Sequence, residues 1–160
     1  NYIQTRPEVA RTEAGDKAGD KNGHRIGAIG LSGGGAQVMW LAALDERVAC
    51  AVISGYFYGV DDSLLTLSAN CDCNYVPHLW ENADMGDLGA LLAPCPLLIE
   101  SARQDPLNGP RGVVNVEEQV AITRRSYDLL GIPDRLATDY FDGGHEWHGA
   151  LVYDWLDRWL

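Results

Sequence analysis

Basic residues are scarce in this 160-residue chain: 12 Lys and Arg face 23 Asp and Glu, for a formal net charge of −11. A surface so poor in cations is unsuited to a polyphosphate, and nucleic acid is therefore not an expected partner. Long apolar runs are also missing. The longest, Leu88 to Ile99, is broken by Pro94 and Pro96 and falls well short of the roughly 20 residues that cross a bilayer, so no membrane partner is expected. Cysteine is sparse. Cys50, Cys71, Cys73 and Cys95 are too few for a disulfide scaffold, and Cys71 and Cys73 are one residue apart where zinc and redox motifs have two between them. All four are expected to be free thiols.

The chain is 46% hydrophobic, enough for a sizeable core in one domain and too much for a disordered chain. Asn1 to Val9 read as the end of an element that starts earlier, and no targeting segment is visible. Residues 13–24, EAGDKAGDKNGH, lack apolar periodicity and are expected to form a solvated surface loop. Asp16 and Asp20 within it do not have the spacing of a calcium loop.

Beyond this loop, short apolar runs alternate with helical patterns. Strands are predicted at Arg25 to Leu31, Val48 to Ser54, Pro96 to Ser101 and Leu136 to Phe141. Helices are predicted at Gly35 to Leu44, Met85 to Leu92, Val114 to Leu130 and His148 to Leu160. On the third, Val116, Val120, Ile122, Tyr127 and Leu130 supply the apolar face; on the last, Leu151, Trp155 and Trp159 do. Continuous rather than alternating apolar strands indicate an α/β fold with a parallel sheet covered by helices on both faces. Tyr56 to Asp84 is a long irregular connection.

Gly30-Leu31-Ser32-Gly33-Gly34 fits G-x-S-x-G between a predicted strand and a predicted helix, the context of a nucleophile elbow. So tight a turn strains the serine backbone and requires small neighbours, a need that Gly30 and Gly34 are expected to meet. It also aims the amide of Gly33 and the helix N-terminus at any oxyanion formed beside Ser32. The competing readings of a glycine-rich turn fail. A dinucleotide motif would need a third glycine where Val38 stands, and a P-loop would need a Gly-Lys-Ser/Thr that is missing.

Asp105 follows the third strand and His145 the fourth, so Ser, Asp and His occur in that chain order, each just past a strand's C-terminal end. Ser32 is then the nucleophile, His145 the general base, Asp105 its orienting acid and Gly33 an oxyanion donor. His148, three residues on, is the weaker candidate for the base, and Asp61 and Asp62 are weaker candidates for the acid. Glu146 reads as a turn carboxylate, and His24 and His78 as non-catalytic. Tyr56, Phe57 and Tyr58 follow the second strand and are candidates to line a substrate pocket.

These residues resemble the α/β-hydrolase superfamily, with the closest likeness to its acetyl-xylan-esterase-like and dienelactone-hydrolase-like branches. RIGAIGLSGGG, ALDERVACAVISGYF, ADMGDLGALLAPCPLLIES with Asp105-Pro106, and FDGGHEWHG carry the resemblance, which extends over Arg25 to Leu160. It implies a serine esterase acting on a small-molecule or carbohydrate ester, with no metal or organic cofactor. A prolyl-oligopeptidase-type peptidase and a non-catalytic relative of the fold are the alternatives. By the same resemblance, residues 1–160 are a single, partial catalytic domain. The four strands would be the second half of an eight-stranded sheet, with the N-terminal half, including the loop that gives a second oxyanion donor, expected elsewhere. Residues 1–160 alone are accordingly expected to expose an unpaired first strand and to be a poor enzyme.

Overall fold

A computed structural model describes residues 26–67 and 72–160, so the loop expected at 13–24, His24, Asp16, Asp20 and Cys71 lie outside the described residues. Four strands, β1 (Ile26–Leu31), β2 (Val48–Ser54), β3 (Leu97–Ala102) and β4 (Leu136–Phe141), form one sheet. They lie in the order β1-β2-β3-β4, and every pair is parallel. The helices between and after them are α1 (Gly33–Leu44), α2 (Met85–Leu91), α3 (Val113–Leu129) and α4 (Val152–Trp159).

The central strands carry no polar alternation because both of their faces are buried. Ala51, Ile53, Leu97 and Ile99 belong to the larger core, with Val38 and Met39 of α1, Met85 and Leu88 of α2 and Val116 and Val120 of α3. Cys50, Val52 and Leu98 point the other way, onto Val152 and Trp155 of α4. Burial pushes the Cys50 and Cys95 thiols up to about 12, and both are free. The side chain of Cys73 is outside the described residues.

β1 is only partly buried, with Ile29 45% exposed, as expected of a first strand that among the described residues has a partner on one side alone. Expectation and structure differ in two places. In α3 the buried stripe is Asn115, Val116, Gln119, Val120, Thr123 and Tyr127, whereas Leu130 is exposed. Its polar members are hidden from an apolar count yet fully used. Gln119 Oε1 accepts the Gly86 N–H at 2.7 Å, and the Thr123 hydroxyl donates to the Gly86 carbonyl at 2.9 Å, locking α2 against α3. Lastly, α4 begins at Val152 rather than His148, which leaves Leu151 half-exposed ahead of the first turn. Residues 142–151 are instead a loop whose backbone is held from outside.

Candidate active site

The strand-to-helix turn after β1 leaves Ser32 at φ 57° and ψ −124°, a conformation L-residues avoid, at a cost of about 1–3 kcal/mol. Its N–H donates to the Ser54 carbonyl at 2.9 Å, and its carbonyl accepts the Ala36 N–H at 3.0 Å, so the strained residue is tied to β2 on one side and starts α1 on the other. The Ser32 side chain makes no capping hydrogen bond to the helix. Its hydroxyl is therefore not engaged by the α1 N-terminus, next to the first N–H groups of a helix.

Gly30 is small for a definite reason. A Cβ there would lie 2.2 Å from the carbonyl carbon and oxygen of Gly34, so strand and helix backbones meet where a side chain would be. The expectation that Gly34 must also lack a Cβ is corrected, because one built on Gly34 meets nothing within 4 Å. Gly35 is the second tight position, where a Cβ would sit 3.0 Å from that of Tyr56 and 3.1 Å from the Ser54 carbonyl. Gly30→Ala is therefore expected to cost about 3 kcal/mol or more in denaturant unfolding, since backbone must move to admit the methyl. Gly34→Ala is expected to stay within about 1 kcal/mol. Equal losses in the two variants would disprove the packing argument.

At the end of β3, Asp105 is buried and uses both carboxylate oxygens. Oδ1 accepts the Leu107 N–H at 2.9 Å, capping a short helical turn, and Oδ2 lies 2.8 Å from Nδ1 of His145. The acid's side chain is 1% exposed and the imidazole 28%, so the pair is anchored inside and open at one end. A carboxylate can only accept, which puts the imidazole proton on Nδ1 and leaves Nε2 as a base. A Cβ added to Gly55 would come within 3.1 Å of His145 Cε1, so the ring lies over Gly55, one residue beyond the Ser54 that holds Ser32. Nucleophile and base candidates thus share the C-terminal edge of one parallel sheet, where open α/β sheets bind ligands.

The acid and base loops are laced together. Arg103 N–H donates to the Phe141 carbonyl at 2.8 Å and Gln104 N–H to the Gly143 carbonyl at 3.0 Å, while Gly143 N–H returns to Gln104 Oε1 at 2.7 Å. Asn108, also buried, donates to the Ala102 carbonyl at 3.0 Å and braces the acid's loop from beneath. Gln104 and Asn108 were not legible as functional, because an amide in a loop carries no signal until its partner is in place.

His148 takes a different position. Its Nδ1 is 3.0 Å from Asp139 Oδ2, and its ring stacks on Phe141 with centroids 4.3 Å apart. Glu146 Oε1 accepts the Gly144 N–H at 3.3 Å, as a turn carboxylate does. His78 is exposed beside Glu81, and Asp62 pairs with Arg111. Glu100, Asp139 and His148 bring ligand-type atoms within 4.8 Å of one another, but these atoms already engage protein partners.

Tyr56, Phe57 and Tyr58 do not line an open pocket. All three are buried in the larger core, and burial pushes the Tyr58 phenol above its ordinary range. Immediately past a strand's end, chain that must cover the sheet packs inward. The aromatics that face a cleft come later in the same connection: Tyr75 and Trp80, with Leu65, Val76 and Pro77, surround a volume of about 250 Å³. Trp80 donates its indole N–H to the Asn74 carbonyl at 2.9 Å, and the Tyr56 hydroxyl donates to Asn74 Oδ1, so the cleft wall is tied to Tyr56, which abuts Gly35 of the elbow.

No family model matches the chain. It is 31% identical over 145 residues to YtaP of Bacillus subtilis (strain 168), designated a hydrolase with no substrate stated; the match covers 85% of this chain and 46% of that protein. Among solved structures it resembles a carbohydrate esterase family 15 glucuronoyl esterase from Caldicellulosiruptor kristjansonii, with TM-score 0.64 and 20% identity over 81% of this chain and 40% of that one. It also resembles an acetyl xylan esterase, so designated, from Bacteroides fragilis NCTC 9343, with TM-score 0.62 and 16% identity over 81% and 41%. The chain spans less than half the length of each of these relatives.

Proposed function

We propose, from the premise that this chain has the α/β-hydrolase fold, that it carries the catalytic residues of a serine hydrolase that cleaves a carboxylic ester through an acyl-enzyme. The observation that carries this reading is the 2.8 Å contact of His145 Nδ1 with the buried Asp105, at the sheet edge where Ser32 is held in a strained turn. His145 Nε2 takes the Ser32 hydroxyl proton as Oγ attacks the ester carbonyl. The oxyanion that forms lies at the α1 N-terminus, where the Gly33 N–H donates to it. Collapse expels the alcohol, which leaves with the proton from His145, and Ser32 remains acylated. Water then attacks the acyl carbonyl, His145 takes its proton, and the acid and free serine are released. Asp105 stays ionised throughout and stabilises the imidazolium.

A carbohydrate ester is the substrate class we favour. The structural relatives above are named for glucuronoyl and acetyl xylan esters. In addition, a cleft walled by Tyr75 and Trp80, with His78 and Glu81 also lining it, offers aromatic faces and polar groups to a sugar ring. A fluorophosphonate probe tests the chemistry, because only an activated serine reacts readily with it. The expected result is a stoichiometric adduct on the peptide containing Ser32. Absence of an adduct, or an adduct on Ser54 or Ser101 instead, would overturn the reading.

A further inference from the structure

We infer that Glu100 is a positioning residue for the general base: its buried carboxylate grips the far end of the loop that carries His145 and holds the imidazole against Asp105. The inference rests on the roles proposed for His145 and Asp105. Glu100 is fully buried in the middle of the sheet, at a place in β3 where an apolar residue would cost far less to bury. Three donors converge on it. Oε1 accepts the Ser54 hydroxyl at 2.7 Å and the His148 N–H at 2.9 Å, and Oε2 accepts the Gly149 N–H at 2.6 Å. Two of these donors are backbone N–H groups that can only donate, so the carboxyl oxygens serve the loop end as acceptors.

Its location explains what those bonds achieve. Ser54 is the register partner of Glu100, and the Ser54 carbonyl holds the N–H of Ser32. The Gly55 N–H donates to the Glu100 carbonyl at 2.9 Å, fixing the surface on which the His145 ring rests. One residue is thus bonded to the strand beneath the elbow and to the loop above it. That loop has no regular structure and is pinned at two points. Gly143 is tied to Gln104 at its start, and His148 and Gly149 are tied to Glu100 at its end, with His145 between them. Gly149 turns there at φ 72°, so the chain reverses into α4 directly on the carboxylate. Glu100 touches no reacting atom and acts through His145.

Glu100→Gln preserves shape and removes one acceptor. If its oxygen keeps Ser54 and His148, its NH₂ faces the Gly149 N–H, and the loop end loses its hold at Gly149 while His148 stays bonded to residue 100 and Asp139. Two measurements are made on the purified protein: steady-state hydrolysis of p-nitrophenyl acetate, and the NMR signal of the His145 Nδ1 proton. The expected result is a fall in kcat of about 10- to 100-fold with KM within about twofold, as for a misplaced catalytic group. The downfield Nδ1 proton signal should broaden beyond detection, and Glu100→Asp, which keeps the charge one methylene short, should fall between the two. A wild-type signal together with wild-type kcat in Glu100→Gln would overturn the inference. Should Glu100→Gln fail to fold, Glu100→Asp decides alone, and an unchanged signal and kcat there would overturn it equally. If the unsubstituted protein neither hydrolyses ester nor reacts with fluorophosphonate, the proposed function falls; the proton signal still reports whether Glu100 holds the ring.

Discussion

Ser32→Ala is expected to lower kcat for ester hydrolysis by at least about 10⁴-fold while leaving the fold intact, because it removes the attacking atom and nothing else. The hydroxyl makes no capping hydrogen bond, and alanine retains the Cβ, so neither the helix start nor the strain at φ 57° changes. The thermal midpoint should remain within about 2 °C, a stability change of at most about 1 kcal/mol for a domain of this size. Kinetics with p-nitrophenyl acetate, set beside thermal unfolding of the same sample, provide the check. Turnover retained in Ser32→Ala would remove Ser32 from the mechanism. Loss of turnover accompanied by unfolding would show that the hydroxyl supports the turn.

The second large effect is expected at the base and its acid. His145→Ala should match the serine change, since members of a triad act as a unit. His148→Ala should stay within about threefold of wild type, because the ring pairs with Asp139, and alanine keeps the backbone N–H that Glu100 accepts. Reversed phenotypes would reassign the base. Asp105→Asn is expected to cost about 10⁴ in kcat by a route that the geometry makes explicit. The amide oxygen can still take the Leu107 N–H at the Oδ1 position, which turns the NH₂ toward His145 Nδ1. The imidazole must then accept at Nδ1 and carry its proton on Nε2, where it cannot remove one from serine. The fold should persist, because the cap persists.

Much of this site was legible because its residues sit in tight local contexts. Gly30 and Ser32 lie in a turn whose sterics depend on residues within five positions of each other, and the GLSGG string records that. Asp105 and His145 each follow an apolar run directly, so their placement at a strand end is likewise a local reading. The support around them was not legible. Glu100 was read only as part of the strand Pro96 to Ser101, and its partners Ser54, His148 and Gly149 lie 46 to 49 positions away in the chain. Tyr56, Phe57 and Tyr58 were misread for a related reason, since an aromatic next to a sheet edge has the same sequence signature whether it packs inward or faces a cleft.

The sequence by itself determined the order of strands and helices and the parallel character of the sheet, and it singled out the candidate site residues, because periodicity, glycine placement and side-chain chemistry are properties of short segments. Tertiary structure decided the rest. It alone paired His145 rather than His148 with Asp105, although the two histidines are three positions apart in one loop. That choice depends on where β4 ends relative to β3, on Gln104 holding the loop's start and on Glu100 holding its end. These contacts join residues about 40 to 50 positions apart, and a hydrogen bond between two such loops exists only once the strands beneath them are in register.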